Sequence, residues 1–457
     1  MWWRTPWLQQ RWLMLSLALG DGLLLLGFYN LLFWHRFGGW AGLTGSIGAL
    51  ILVWLGSSYL LGRYSRPDPG QRDSRRRRLA TTLLMGVVVL AAVVVFSWGF
   101  KLEDPRTFRN FVVPVLGAAT LCSATAQLWV TRLQTRPRHW LLVGTEQELT
   151  ILRQELSSHP SNNQLQISYC NSEALTTATD SVHQHAWDGI AVSETADLPD
   201  SLIETLLEVR GGGGVVCNLV GWSEQHLQRV PPELFSSRWL VQAEGFELQP
   251  GRWSWRVKRL GDLVVATLLL VISAPVLLLA ALAIRLEDGG PILYHQVRTG
   301  LYGQRYRVWK LRSMVIQAER DGAQWTGHGD PRVTTVGSWL RRLRIDELPQ
   351  LVAVLLGEMS LIGPRPERPE LETLLEATIP HYRVRHWIRP GLSGWAQVCF
   401  PYGASVSDSR MKLSYDLYYL RNASLPLDIL ILMKTIRLVV QAKGSVPARI
   451  CPPQPNR

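Results

Sequence analysis

Two adjacent carboxylates, Asp346 and Glu347, follow Arg341, Arg342 and Arg344 in a run that opens at Asp330-Pro331-Arg332 and closes at Pro349-Gln350. These are the ingredients of a phosphoryl-transfer site. A carboxylate attacks phosphorus or holds a divalent metal, and arginines neutralise the non-bridging oxygens. A hard cation such as Mg2+ would take a carboxylate oxygen plus substrate phosphates, which makes Asp346 its candidate ligand. On a solvated surface the same run would be an ordinary ion-pair cluster, so the neighbouring motifs matter. In Gly363-Pro364-Arg365-Pro366-Glu367 two prolines flank an arginine and fix the backbone that carries it. Upstream, Trp309-Lys310-Leu311-Arg312-Ser313-Met314 adds two cations to a strand-like stretch. Downstream, Arg389-Pro390-Gly391-Leu392-Ser393-Gly394-Trp395-Ala396-Gln397-Val398 reads as a turn followed by an apolar–polar strand. Each motif is weak alone; their succession is specific.

The elements that must carry this chemistry begin with a membrane. Of 457 residues, 47% are apolar and 18% charged, against about a quarter charged in soluble chains. Four long apolar runs come first: Trp12–Trp34, with Asp21 its one formal charge, then Phe37–Gly62, Leu79–Phe100 and Phe111–Thr131, all uncharged. About 20 residues suffice to span a bilayer core. These runs exclude a purely soluble globule and a disordered chain. The first is too long for a cleaved signal peptide and lacks a small-residue cleavage site. Arg4 and Arg11 precede the first run, Arg63, Arg66, Arg72 and Arg75–Arg78 lie between the second and third, and Arg132, Arg136 and Arg138 follow the fourth. The other two loops hold only Arg36, Lys101, Arg106 and Arg109. The positive-inside rule puts both ends of this bundle in the cytoplasm. The net charge of +12 suits nucleic acid, an anionic membrane face or a phosphorylated substrate. The Arg75–Arg78 run lies between two spans, so it reads as a topology and headgroup feature, and no nucleic-acid partner is expected. Five scattered cysteines, without C-x-x-C or His-paired spacing, read as free, reduced thiols.

Residues 136–250 are soluble in composition. Short apolar runs at Trp140–Gly144, Ile167–Cys170, Gly189–Ser193 and Val215–Val220 alternate with helical Glu146–Leu156 and Ser201–Val209. This predicts a small parallel, Rossmann-like α/β sheet. A dinucleotide site needs Gly-rich backbone at the first strand–helix turn. Here Gly144-Thr145-Glu146-Gln147-Glu148 has one glycine and two carboxylates where phosphates would sit, so a scaffold or dimerisation module, and with it a homodimer, is expected. Leu263–Ile284 is a fifth uncharged run. Pro275, after Ser273-Ala274, lacks an N–H and clashes one turn back, and Ser273 can satisfy a freed carbonyl. With Lys258 and Arg259 at one end and Arg285 at the other, a re-entrant helix with both ends at one headgroup layer is predicted. Leu425–Val440, with Asp428, Lys434 and Arg437 interspersed, is predicted to lie on the interface.

Residues from about 255 to 440 resemble the bacterial sugar transferase family, the monotopic phosphoglycosyl transferases. The matching stretches are Lys258-Arg259-x-x-Asp262, Gly290-Pro291 through Gln296-x-Arg298-x-Gly300, Lys310-x-Arg312-Ser313-Met314, Asp330-Pro331-Arg332 to Gln350, Gly363-Pro364-Arg365-Pro366 and Arg389-Pro390-Gly391 to Val398. Tyr402-Gly403-Ala404-Ser405-Val406 and Tyr415-Asp416-Leu417-Tyr418-Tyr419 also match. By layout the whole chain is similar to the larger subgroup, the polyprenyl-phosphate hexose-1-phosphate transferases of exopolysaccharide synthesis. The implied fold is a membrane protein: a four-helix transmembrane bundle over 1–135, a degenerate Rossmann-like domain over 136–250, an α/β catalytic domain over 251–445 with a re-entrant helix at 258–285 broken at Ser273 and Pro275, and a tail at 446–457. The implied reaction transfers a hexose 1-phosphate from a UDP-hexose to undecaprenyl phosphate and releases UMP. Asp346 matches the nucleophile that forms a covalent phosphosugar intermediate, and Glu347 matches the second acid, which handles protons or supports Mg2+. Arg341 and Arg365 match residues placed at phosphate or nucleotide. Arg298, Lys310, Arg312, Pro364 and Gln397 are the further substrate-binding candidates of the matched motifs. Arg344 departs from the pattern, where a small or hydroxyl residue is usual. The resemblance implies a multi-pass protein of the bacterial inner membrane, its catalytic domain facing the cytoplasm among membrane lipids.

Three alternatives stay open. A glycosyltransferase of the Asp-x-Asp type would transfer the sugar without its phosphate, but no Asp-x-Asp occurs, and release of UDP instead of UMP would distinguish it. A non-catalytic scaffold for polysaccharide assembly would not need the Asp346-Glu347 pair. A transporter would need a polar path that one charge in four spans does not supply. The sequence does not choose among glucose, galactose and an N-acetylated hexose.

Overall fold

The computed structural model describes residues 6–9, 11–64, 75–99, 111–133, 138–157, 165–171, 187–194, 198–246, 252–316, 318, 330–400 and 405–440. They form two compact units that divide between Cys217 and Asn218.

The first unit opens with helices α1 (Trp12–Phe37), α2 (Gly45–Leu60), α3 (Arg75–Gly99) and α4 (Val113–Leu133). They share one apolar core of Leu25, Trp54, Met85, Val89, Val115, Leu116 and Ala119. Leu19, Leu52, Leu83, Val87 and Leu121 point outward and exposed. Helices apolar on both faces belong in a large core or in lipid. Among the described residues, α1 and the later helix Trp253–Asp288 are long and apolar enough to cross a membrane. The second run is shorter than the sequence predicts. Gly38 and Gly42 both take positive φ, ending α1 and looping the chain, so α2 starts only at Gly45 behind the Thr44 cap. At 16 residues α2 is about 24 Å long, short of a bilayer core. Asp21 is buried, and its carboxylate pairs with Arg63 at 3.0 Å and also accepts from Ser123 and Tyr64. Arg63, counted in the sequence among the cytoplasmic-side cations, is therefore an internal partner. Arg4, Arg66, Arg72, Lys101, Arg106, Arg109 and Arg136 lie outside the described residues, as does the tail from 446.

The same unit holds a four-stranded sheet of order β2-β1-β3-β4, from β1 (Arg138–Gly144), β2 (Leu165–Asn171), β3 (Gly189–Val192) and β4 (Val215–Asn218). β1 is central and pairs parallel with both β2 and β3. Helices α5 (Glu146–Ser157) and α6 (Asp200–Gly211) connect the strands as predicted. The turn after β1 is closed by Glu148, whose buried carboxylate accepts from the Thr145 amide (3.0 Å), the Thr145 hydroxyl (3.0 Å) and the Ser193 hydroxyl (2.8 Å). An internal anion thus occupies the helix terminus that a phosphate would use.

The second unit starts earlier than the expected boundary at 250. β4 ends at Asn218, whose side chain accepts from the Gly221 amide at 2.7 Å and caps α7 (Leu219–Leu227), so the predicted strand to Val220 stops two residues early. Residues 218–246 then pack on C-terminal elements. Trp395 Nε1 donates to the Gln228 carbonyl (3.0 Å), the Val230 amide to Ser414 (2.8 Å), and Glu224 and Glu233 pair with Arg421 (3.0 Å) and Arg410 (2.7 Å). A fragment over 218–457 is expected to melt cooperatively. One over 251–457 should lose at least about 3 kcal/mol, the cost of stranding buried partners. Denaturant melts of the two fragments in the same detergent check this, and equal midpoints would put the boundary back at 250.

Helix α8 (Trp253–Asp288) runs through Pro275. Ser273 Oγ donates to Leu270 O at 3.3 Å, one carbonyl before Val271, the one Pro275 orphans. Near its start, Arg259 donates to Val354 O (2.6 Å) and Leu355 O (2.9 Å), and Asp262 accepts from Ser360 Oγ (2.8 Å) and the Leu361 amide (3.2 Å). Near its end, Ala280 and Ile284 form a core with Leu311 and Leu340, with Ile345 packed against it. The rest comprises the antiparallel hairpin β5 (Leu293–Thr299) and β6 (Arg305–Leu311), helices α9 (Thr335–Arg342) and α10 (Leu351–Leu356), the short parallel pair β7 (Ser360–Ile362) and β8 (Gly391–Ser393), and helices α11 (Pro369–Thr378), α12 (Val406–Asn422) and α13 (Leu425–Val440), with α11 between β7 and β8 in the chain. The stretch after Gly394, predicted as a strand, is a short helix, Trp395–Cys399.

Candidate active site

Alternation along the β5–β6 hairpin sets one face of the site. Arg298 lies opposite Tyr306, and Lys310 opposite Tyr294. Directly opposed residues share a face and i, i+2 residues repeat it, so Arg298 and Lys310 project to the same side. The other side comes from α9 and the 3-10 turn Ile345–Gln350 that follows it. Thr334 caps α9, and Gly337 passes so close to the Ser313 carbonyl that a side chain there would collide with it. Arg344 adopts a left-handed conformation (φ 56°) that turns the chain from α9 into the carboxylate pair. For a non-glycine residue this stores about 1 kcal/mol of strain. The third wall is the Pro364-Arg365-Pro366 loop.

Glu347 is buried and surrounded by cations. Arg365 Nη2 lies 2.6 Å from it, Arg344 Nη1 3.3 Å and Lys310 Nζ 3.7 Å. Burial alone would raise its pKa, but the charges of Arg365, Lys310 and Arg344 and the Arg365 hydrogen bond hold it well below the usual carboxylate range. It is a fixed anion that aligns cations, with little affinity for a proton. Asp346, also buried, behaves oppositely: burial and the Glu347 anion beside it raise its pKa, against Lys310, Arg341 and Arg365. Among the described residues, no donor is hydrogen-bonded to its carboxylate. An oxyanion so placed keeps its lone pairs for an incoming electrophile or a cation.

Lys310 carries the pH sensitivity. Burial presses its ammonium down to about 8, aided by Arg365 and Arg298 and opposed by Glu347 and Asp346. Above that pH the site loses one of its cations. Turnover is expected to fall on the alkaline side of about pH 8, and Lys310→Arg, which stays charged, should remove that limb in a pH–rate profile. An unchanged limb in the arginine variant would assign it elsewhere.

The structure thus brings Asp346, Glu347, Lys310 and Arg365 together, with Arg341 close enough to act on Asp346 and Arg298 on Lys310. Arg298 is held by Gln296 Oε1 (2.6 Å) and Pro366 O (3.3 Å). Arg312 is a different case: its guanidinium pairs with Asp288, the last residue of α8. Asp330 is likewise taken by its own Arg332, whose hydrogen bonds hold it at about 2. Pro364 supplies a carbonyl to the Gly391 amide (2.8 Å), and Gln397 donates to Leu392 O (3.4 Å). Tyr402, Gly403 and Ala404 lie outside the described residues. Sequence reasoning missed Arg385. This buried guanidinium donates to the Arg365 carbonyl (2.9 Å), pairs with Asp416 (2.9 Å) and donates to Tyr382 (2.5 Å), so it holds the proline-flanked loop in place. The only signal was Asp416 within the Tyr415–Tyr419 motif.

A family model described as bacterial sugar transferase matches residues 253–442. A UDP-N-acetylgalactosamine-undecaprenyl-phosphate N-acetylgalactosaminephosphotransferase of Aeromonas hydrophila is 46% identical over 189 residues, covering 41% of this chain and 45% of the relative. A UDP-glucose:undecaprenyl-phosphate glucose-1-phosphate transferase of Caulobacter vibrioides is 44% identical over 181 residues, covering 39% of this chain and 68% of the relative. An exopolysaccharide production protein of Rhizobium leguminosarum is 38% identical over 186 residues, covering 39% of this chain and 93% of the relative. The match thus spans less than half the length of the Aeromonas protein and nearly all of the Rhizobium one, and the residues matched by the family model include the carboxylate site. On this footing the chain belongs to the bacterial sugar transferase family.

Proposed function

We propose that this protein transfers a hexose 1-phosphate from a UDP-sugar to undecaprenyl phosphate, the first membrane step of exopolysaccharide, capsule or O-antigen synthesis. The observation that carries this is the asymmetry of the pair: Glu347 is consumed by three cations, while among the described residues the adjacent Asp346 has no hydrogen-bond donor. An Asp346 oxygen attacks the phosphorus that bears the sugar; the bond to the UMP oxygen breaks, and UMP leaves with that electron pair. An oxygen of the lipid phosphate then attacks the same phosphorus and frees Asp346. Arg365, Lys310 and Arg341 lie where they can neutralise the phosphoryl oxygens in both steps. Among the described residues, no three His, Cys, Asp or Glu side chains cluster as a metal cage. A Mg2+ ion would rest on Asp346 and on substrate phosphates, which suits its preference for few protein ligands, and would supply charge neutralisation at the diphosphate.

The same reading anchors the protein in the inner membrane with its catalytic unit in the cytoplasm. The loop arginines support both ends of the α1–α4 bundle lying inside. A re-entrant α8 is supported by Pro275 and by its two ends. Arg259 and Ile284 are about 37 Å apart along a straight helix, yet they reach the 354–355 carbonyls and the core beside Ile345. Leu425, Ile429, Ile436 and Val440 are exposed along one side of α13, as a helix lying on the interface requires. A homodimer through the middle sheet is supported by exposed Ile203 and Leu207 on α6 and Val215 on the edge strand. The deciding experiment incubates the protein with a UDP-hexose panel without lipid acceptor. A stoichiometric burst of UMP and a sugar-phosphate mass on the Asp346 peptide are expected. Release of UDP would instead mark a glycosyltransferase, and no release with any sugar, with lipid added, a scaffold.

A further inference from the structure

We infer that Arg389, with Arg259 and Trp255, forms a site for the phosphate of an anionic membrane lipid at the foot of α8, apart from the carboxylate site. Among the described residues no carboxylate or carbonyl takes the Arg389 guanidinium, and its Nε is buried without a partner. The group lies over the Trp255 ring at 4.7 Å. It also faces Arg259: their Nη2 atoms lie 3.8 and 3.4 Å from the point where a side chain on Gly357 would project. Two guanidinium groups so placed repel, and burial with the Arg259 charge presses the Arg389 pKa below its usual value. The nearby carboxylates are already engaged. Asp428 takes Lys258 at 2.7 Å, and Asp262 takes Ser360 and Leu361. Trp255, Lys258, Arg259, Asp262, Ser360 and Arg389 line one narrow cleft with Ile388. An anion there would satisfy Arg389 and relieve the repulsion.

The surroundings select a lipid phosphate over a free one. On the face of α8 opposite the cleft, Leu260, Val264, Leu268 and Val271 form a continuous exposed apolar stripe with Trp253 exposed at its head; that stripe beds the helix among acyl chains and holds the cleft at headgroup depth. Tryptophan and arginine at the head of an apolar stripe is the arrangement of a headgroup layer. The inference rests on the membrane anchoring of α8 proposed above, but shares no residue with the carboxylate cluster.

The test uses the purified full chain in detergent, with lipids retained per chain counted by native mass spectrometry. Dioleoyl phosphatidylglycerol, dioleoyl phosphatidylcholine and inorganic phosphate are the probes. One phosphatidylglycerol should bind about tenfold more tightly than phosphatidylcholine, Arg389→Gln should abolish that preference, and Asp346→Asn should keep it. Equal retention by Arg389→Gln, or loss only in Asp346→Asn, overturns the inference. Displacement of the lipid by millimolar inorganic phosphate would show a free-phosphate site and overturn it too. If Arg389→Gln does not fold, equal binding of the two lipids by the wild type is decisive against it. Failure of the chain to float with vesicles would sink the membrane reading itself, whereas flotation without headgroup preference sinks only this site.

Discussion

Asp346→Asn should lower the transfer rate by at least about 10^3-fold and abolish the sugar-phosphate adduct, because an amide has the carboxylate's shape without its nucleophilicity. The fold should be unharmed. Asp346 is an anion pressed by burial and by Glu347, so removing its charge relieves two costs and forfeits only unbonded attraction to Lys310, Arg341 and Arg365. The melting temperature should stay level or rise, and UDP-sugar should bind at least as tightly. This combination separates a chemical role from a structural one. A rate within about tenfold of wild type, or roughly 1.4 kcal/mol of barrier, would remove Asp346 from the chemistry.

Arg385→Met should strike both stability and rate. It strands Asp416, whose carboxyl burial already pushes up to about 6 despite the guanidinium 2.9 Å away. Breaking a buried pair from one side costs about 3–5 kcal/mol. The loss should shrink as pH falls, since a stranded Asp416 takes up a proton and no longer buries a charge. The variant also frees the Arg365 carbonyl, so the rate should fall even where the protein is folded. Pairing Arg385→Met with Asp416→Leu should recover most of the melting temperature and none of the rate. Full recovery of both would reduce Arg385 to a packing role.

The carboxylate pair, its cations and the order of the elements were legible because each leaves a local mark. Adjacent acids, a proline-flanked arginine and apolar runs are visible without knowing what touches what. The middle sheet was legible for the same reason, since alternating strands and helices are written in short periods. Arg312 and Arg385 were not. Neither has its carboxylate partner close by in the sequence, and only tertiary placement sends one to Asp288 and the other to the back of the Arg365 loop. Arg63 was counted as a loop cation because a cation after an apolar run looks solvent-facing until Asp21 is found across the helices. The boundary at 218 was hidden because residues 218–246 have ordinary soluble composition; what binds them to the C-terminal unit is pairing with residues far along the chain, such as Glu233 with Arg410.

Ile345, the residue before Asp346, packs against the cluster built on Ala280 and Ile284 of α8. If Asp346 is the nucleophile proposed above, it is carried on α8 through the packing of its neighbour. In the membrane placement proposed above, its height above the lipid is then set by α8. A phosphate tethered to a long lipid tail presents itself at one depth, and a phosphate free in solution at none. Acceptors can then be sorted by altitude before any of their chemistry is read. A shift of α8 by one helical turn, about 5.4 Å, would put the same carboxylate out of reach of an acceptor it could otherwise serve.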